Sequence, residues 1–489
     1  MSGWKNSPPL LACALACATV LAAAESPPAA ALAARIARVE NGLLPAARLA
    51  GTPSEPWSIA SRLAAHKVPG VSIAVINDGR IEWARGYGLA RAGEPAAVTP
   101  DTLFQAASIS KPVAAAAALT LVESGALTLD ADVNEKLTTW KIPAAKAPAP
   151  PVTLRRLLSH TAGLNVDGFR GYAVGEPRPT LVQILAGAPP ANSEPIRIIL
   201  PPGTQWRYSG GGYCVAQQLL LDVTGQEFPA LLRQRVLLPA GMAASTFEQP
   251  LPAALAPRAT AGHRADGSRL AGDAYIYPEL AAAGLWTTPS DLARFALALA
   301  DSLAGRPSFL TRATAEAMIT PPLAGSDYGL GLGIKGVGEN LSLGHNGGNE
   351  GFRCALFTYP RTGRGAIVMT NSDNGSALAY EIIRALAREY GWPDHQIVEK
   401  TAVTLAPAAF DAFAGRYERE ETVLVLSRTG PRFFLRATGQ PRREIYPSSD
   451  HEFFFLDGPD TLSVERGAGG TVTHVVRRTS PPQIFQRVR

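Results

Sequence analysis

The stretch VSIAVINDGRIEWARGYG, residues 71–88, follows a period of two on both sides of Asn77-Asp78-Gly79. That pattern is a β-hairpin whose turn suits positive backbone dihedrals, so a sheet begins here. Strand patterns return far along the chain, at YGLGLGI (328–334), RCALFTYP (353–360) and AIVMTN (366–371), and the helix pattern SALAYEIIRALAREYG (376–391) closes the set. Between them, from about Val152 to Leu303, the signals are helical and loop-like, broken by Pro and Gly. Strands, then helices, then strands and a closing helix predict an α+β unit. It has one mainly antiparallel sheet built from both ends of the domain, with a helical subdomain inserted. The strongest helix signal runs from Ser108 to Glu123. It has alanine at every position from 114 to 118, Pro112 in its first turn and Gly125 placed to stop it.

Outward from this unit (57–391), the flanks differ in composition. Residues 25–56 are Ala-rich, with Leu32, Ile36 and Val39 spaced for a helix before the loop GTPSEP, and read as an N-terminal docking arm. Residues 392–407 have weak periodicity and read as a linker. Beyond them TVLVLSR, RFFLRA, REIYP, EFFFL, TLSVERG and TVTHVVRR are short strands at close spacing, a small all-β domain over 408–489.

Residues 1–24 read as an export signal: Lys5 precedes the apolar stretch Leu10 to Ala24, and Ala22 and Ala24 stand at the two positions a signal peptidase reads. The expected location is therefore periplasmic or secreted. A rival reading makes Cys13 or Cys17 a lipidated cysteine, but Cys13 leaves only a stub of apolar run before it and Cys17 has Ala14 three residues earlier. Cys214 and Cys354 remain after cleavage, and their apolar surroundings favour two buried thiols over a bridge.

Composition excludes several classes. Of 489 residues, 46% are hydrophobic and 18% charged, which is neither disordered nor multi-spanning, because no internal run reaches the roughly 20 apolar residues of a span. The net charge of +5 comes from basic residues scattered singly, so no nucleic-acid partner is expected. No His-Glu-x-x-His or Cys/His cluster suggests a metal, and no Gly-x-Ser-x-Gly elbow suggests a conventional α/β-hydrolase triad. We expect neither a metal nor an organic cofactor.

Three segments could carry chemistry. In Ser108-Ile109-Ser110-Lys111 the lysine lies one helical turn beyond the serine and on the same face, so a nucleophile and a base come together. A helix start there also aims N–H groups at an alkoxide or a developing oxyanion. The spacing alone is weak, since Ser2-Gly3-Trp4-Lys5 has it too, and the ordinary reading is a capping serine with a solvated lysine. The second segment is WRYSGGGY (206–213), whose glycines at 210–212 read as open room beside the nucleophile. A phenol such as that of Tyr208 serves as a base only where nearby cations stabilise its anion, and Lys111 is the cation at hand. The third is GHNGGNEG (344–351), where glycines let a substrate approach the backbone beside His345.

In this order, Ser108-x-x-Lys111, Tyr208-Ser209-Gly210 and His345-Asn346-Gly347 resemble the penicillin-recognising serine hydrolases: class C β-lactamases, DD-peptidases and the esterases related to them. VPGVSIAVINDGR, TLFQAASISK, TLRRLLSHTAGL, LLPAGM, AAGLWTTPSDLARF and GHNGGNEGF extend the likeness from about Trp57 to Gly391. GRYERE, IYPSSD and EFFFLDG make the C-terminal domain similar to the lipocalin-like appendage of many such hydrolases.

The resemblance implies a β-lactamase-like fold in which Ser108 is acylated, Lys111 holds the proton network and Tyr208 is the general base. It places the oxyanion hole at the N–H groups of Ser108 and Gly348, and Gly210, His345 and Gly347 beside the substrate. His160, in LLSHTAGL, is read as structural, donating to a loop carbonyl. Two departures matter. Gly210 replaces the usual Asn of Tyr-x-Asn, an amide that in relatives touches the lysine and the substrate. His345 stands where many relatives have Lys, and it loses its charge near pH 7, which weakens it as a clamp for a β-lactam carboxylate. The expected function is an exported serine hydrolase acting through a Ser acyl-enzyme on small esters, amides or peptides, of the esterase or D-amino-acid amidase or peptidase type. A β-lactamase and a non-catalytic cell-wall or β-lactam sensor are the alternatives.

Overall fold

The hairpin forms as its alternation requires. The computed structural model describes residues 1, 3, 28–53, 55–145, 148–458, 460–479 and 482–488. The expected export signal, from Lys5 through Cys13 and Cys17 to Ala24, lies outside the described residues. Strand β1 (Gly70–Asn77) pairs antiparallel with β2 (Arg80–Gly88), and Asn77 faces Arg80 across a two-residue turn. Asp78 and Gly79 take φ of 50° and 69°, the left-handed pair that matches strand twist in such a turn.

Four strands from the far end complete the sheet: β3 (Gly333–Lys335), β4 (Ser342–Asn349), β5 (Phe352–Tyr359) and β6 (Arg364–Thr370). The order is β2-β1-β6-β5-β4-β3, antiparallel at every pairing, so the two ends of the domain meet where β1 pairs with β6. This is the α+β arrangement expected from the sequence.

Helices cover both faces: α1 (Ala29–Glu40), α2 (Ser110–Glu123), α3 (Gly210–Thr224) and α4 (Gly375–Tyr390). Period two assigns alternate residues of β1 to different cores. Ile73 and Val75 join Ile36, Val39, Leu378 and Ile382 under α1 and α4, while Ala74 and Ile76 join the larger core around α2 and α3. α2 runs through that larger core, buried without a break from Ser110 to Leu121. A helix buried all round needs small side chains where neighbours approach on every side, which the alanine run supplies.

The arm docks as a helix. Arg38 makes a bidentate pair with Glu389 of α4 at 2.9 and 2.6 Å, and Arg35 reaches Glu82 of β2 at 2.7 Å. Farther on, Ala47–Leu49 pairs in parallel with Val398–Lys400, so the segment read as a linker carries a strand. One other expectation is corrected. YGLGLGI is a strand only at its end, because Gly331 has φ of 97° and Gly329 sits where a Cβ would meet the Met318 carbonyl oxygen at 2.3 Å. The alternating leucines enter the core from a tight turn. Cys214 and Cys354 are both buried and free, as their apolar surroundings suggested.

Eight antiparallel strands, from Gly415–Arg419 to Gln483–Val488, close into a barrel where Arg416–Glu418 pairs with Gln486–Val488. Phe410 and Phe413, from the short helix Pro407–Asp411 and the turn after it, join the inward side chains. Phe410 stacks on Phe433 at 4.3 Å and meets Phe453 edge-on at 5.6 Å. Among the described residues no helix is long and apolar enough to cross a membrane. Phe410→Ala is expected to lower the stability of the barrel by about 3–5 kcal/mol, read from urea unfolding followed by near-UV circular dichroism.

Candidate active site

Ser108 lies in a 3-10 turn, Ala107–Ile109, that runs into α2 at Ser110, so the helix proper begins two residues later than the sequence suggests. The turn is strained: Ala107 has φ of 50°, a conformation that side chains with a Cβ rarely adopt. Lys111 follows within the first helical turn. Its Nζ donates to Ser108 Oγ at 2.9 Å and to the Ala282 carbonyl at 2.9 Å. The side chain is only 2% exposed, and among the described residues it forms no ion pair. Instead the ammonium sits 4.9 Å from the centre of the Tyr208 ring and 5.7 Å from that of Tyr213. A buried cation is tolerated when hydrogen bonds and aromatic faces replace its hydration.

Tyr208 is held by the turn that starts α3. Ser209 caps the helix, accepting from the Gly212 N–H at 2.9 Å and donating to the Asn165 carbonyl at 2.8 Å. His160 supports the same turn from below. Its Nδ1 accepts the Ser209 N–H at 3.1 Å, its carbonyl accepts the Arg207 N–H at 2.8 Å, and its ring lies 4.2 Å from that of Tyr208. The expectation that His160 donates to a loop carbonyl is therefore corrected. Burial, with the Lys111 charge adding to it, lowers its pKa well below the usual histidine range, and a neutral ring keeps Nδ1 free to accept.

Gly210, Gly211 and Gly212 are buried in the first turn of α3. They do not leave open room, as the sequence suggested. A Cβ on Gly210 would stand 3.0 Å from the Phe169 ring, and one on Gly211 would stand 2.6 Å from Ile196. These glycines admit the neighbouring chain, and Phe169 fills the space beside position 210.

The far wall is β4. A Cβ on Gly347 would meet the Ala106 carbonyl oxygen at 2.2 Å, so only glycine lets this strand cross the Ser108 turn at backbone contact. Gly348 follows and is exposed. Asn349, which the sequence reading passed over, is buried and locks the crossing: Nδ2 donates to Gln105 Oε1 at 2.8 Å and to the Ala283 carbonyl at 3.1 Å. Its only signal was its place in the glycine-rich run.

His345 is half-buried, with Nδ1 2.6 Å from the Asn346 carbonyl oxygen and its ring 6.3 Å from that of Tyr208. Burial, helped by the Lys111 charge, pushes its pKa down to about 3. The ring is thus neutral, donating from Nδ1 and leaving Nε2 with a lone pair. The expected loss of charge near pH 7 is corrected to a much lower pH.

Other groups around the site were not legible. The Ala282 carbonyl belongs to the short helix Leu280–Ala283, which Glu279 precedes. The Glu279 carboxyl is buried without a hydrogen-bond partner among the described residues, and burial pushes it up to about 8. Of the remaining histidines, His66 contacts Glu381 at 3.0 Å and His263 accepts the Ala92 N–H at 3.1 Å, both structural links. Among the described residues no group of His, Cys, Asp and Glu is placed to hold a metal ion. Gly347→Ala is expected to slow covalent labelling of Ser108 by a fluorophosphonate probe by on the order of 100-fold through displacement of β4 from Ser108, with far-UV circular dichroism unchanged.

The Beta-lactamase family model matches residues 58–389. Penicillin-binding protein 4 of Amycolatopsis lactamdurans is 28% identical over 73% of this chain and 94% of its own length. Esterase EstB of Burkholderia gladioli is 32% identical over 36% of this chain and 46% of its own. In fold, the chain is similar to the octameric penicillin-binding protein homologue from Pyrococcus abyssi, with a TM-score of 0.61, 23% identity and coverage of 88% of this chain and 98% of that one. Because the family match takes in the sheet, its covering helices α2 to α4 and the Ser108 turn together, the chain belongs to the beta-lactamase family of serine hydrolases.

Proposed function

We propose that the chain is exported and hydrolyses small esters or amides through an acyl-enzyme at Ser108. The observation that carries this reading is the 2.9 Å hydrogen bond from Lys111 Nζ to Ser108 Oγ in a site with an aromatic face over the ammonium. Export rests on Lys5, the apolar run Leu10 to Ala24 and the small residues Ala22 and Ala24.

In this mechanism Ser108 Oγ attacks the substrate carbonyl carbon while its proton passes to the Tyr208 oxygen, in a network that Lys111 holds. The oxyanion of the tetrahedral intermediate accepts N–H groups of Ser108 and Gly348. Collapse sends the proton to the leaving alcohol or amine and leaves an acyl ester on Ser108. Water, deprotonated by Tyr208, then attacks that ester, releases the acid and returns the proton to Ser108. The close approach of β4 to Ala106 that Gly347 permits supports this assignment.

Small esters and amides rank ahead of β-lactams because His345 is neutral and supplies no cation for a β-lactam carboxylate. Position 210 offers no amide, and Phe169 packs beside it. The esterase relative supports the same order. Turnover of a short-chain nitrophenyl ester is expected to exceed that of nitrocefin, and the reverse order would favour the β-lactamase reading. Binding without turnover of either would favour the sensor.

A fluorophosphonate probe is expected to label the protein but not Ser108→Ala. Tyr208→Phe should lower kcat by roughly 100-fold to 10,000-fold. Lys111→Ala should cost at least as much, and His345→Ala less, mainly through KM. With its pKa depressed to about 3, His345 stays neutral from pH 5 to 8 and adds no limb to the kcat/KM profile there. An acid limb centred near 6.5 that vanishes in His345→Ala would make His345 the base.

A further inference from the structure

We propose that Trp206 is a stacking platform for an aromatic ring of the substrate, making aryl-bearing esters or amides the preferred class. The inference rests on the reading of Ser108 as nucleophile. Trp206 stands two residues before Tyr208 and is 43% exposed. Single exposed apolar residues are ordinary on a protein surface, so its position carries the argument. The indole is the outer member of a wall of rings. Its centroid lies 6.3 Å from Tyr208, 6.0 Å from Tyr328 and 6.1 Å from His160, the last edge-on at 85°. Tyr208 and Tyr328 continue the wall inward to His345, at 6.3 and 6.1 Å.

The supporting rings are fixed. His160 is 1% exposed and Tyr328 is buried, so they hold the indole and offer little area themselves. Both imidazoles are neutral, which keeps the wall free of a second cation beside Lys111. Arg207, the neighbour of Trp206 in the chain, is turned to Asp167 at 3.1 Å. The wall therefore presents a rigid, uncharged indole, with the Tyr208 and Tyr328 rings tilted 52° and 53° to it, next to the residue that faces the reacting bond. An uncharged ring from the substrate buries that surface and gains the offset or edge-on contact that aromatic pairs favour. A short aliphatic substrate reaches Ser108 without touching it.

The experiment uses the full chain and three esters: ethyl phenylacetate, with the ring on the acyl side, benzyl acetate, with the ring on the alcohol side, and ethyl butyrate. Trp206→Ala is expected to lower kcat/KM for one of the aryl esters roughly 10-fold, through KM, and to leave ethyl butyrate within about twofold. Trp206→Phe should restore most of the loss. The aryl ester affected identifies which side of the scissile bond meets the indole. Equal losses on all three esters, or no loss on either aryl ester, overturn the platform while leaving the hydrolase reading standing. A wild-type protein that turns over ethyl butyrate but neither aryl ester does the same. A wild-type protein inactive on all three and unlabelled by fluorophosphonate overturns both.

Discussion

The buried ammonium of Lys111 is the constraint around which the domain is organised. Taking a charge out of water is expensive unless new partners replace its hydration, and among the described residues no carboxylate does so. The Ser108 hydroxyl, the Ala282 carbonyl and the faces of Tyr208 and Tyr213 take that place. They come from three separate parts of the chain: the 3-10 turn before α2, the short helix Leu280–Ala283, and the start of α3. Displacing any of them leaves a cation in the core with too few partners, so stability and site geometry are tied together. The alanine run of α2 serves the same end, because a bulkier helix would hold these elements apart.

Close backbone approach is the second constraint, and it follows from the first. Lys111 is enclosed on the helical side, and β4 crosses the Ser108 turn at backbone contact. Gly347 brings that strand against Ala106, while Asn349 fixes its position through Gln105 and Ala283. Ala107 absorbs the strain in a positive φ. Strain at such a place persists only where the surroundings over-determine it, which three independent contacts accomplish here.

Some of this was legible in the sequence because it depends on local periodicity. The hairpin at 71–88 announced itself by its period and its Asp-Gly turn, and α2 by its alanines, Pro112 and Gly125. The Ser108–Lys111 pairing followed from helical spacing. What stayed hidden depends on partners distant in sequence. Val398–Lys400 is too short to show a period and exists as a strand only because Ala47–Leu49 lies beside it. YGLGLGI alternated like a strand, yet glycine dihedrals turn it. The glycines at 210–212 looked like open space, because a sequence does not show Phe169 and Ile196 arriving from elsewhere. His160 was recognisably structural, but whether its ring donates or accepts is decided by the Ser209 N–H that it meets. A backbone carbonyl such as that of Ala282 has no sequence signature at all.

The two departures at 210 and 345 act in one direction. A glycine where relatives have an amide removes a polar group that would reach the lysine, and Phe169 takes the adjoining volume. A histidine where many relatives have lysine removes a charge, and its burial beside Lys111 prevents the charge from returning near neutrality. A second cation there would also raise the electrostatic cost of keeping Lys111 charged. With both polar groups gone, Lys111 is the cation nearest the nucleophile, and the surface around it is made of rings. Under the proposed function, the same departures that weaken recognition of a charged substrate reduce the desolvation that an apolar one must overcome, so the proposed selectivity and the tolerance of the buried lysine share a physical origin.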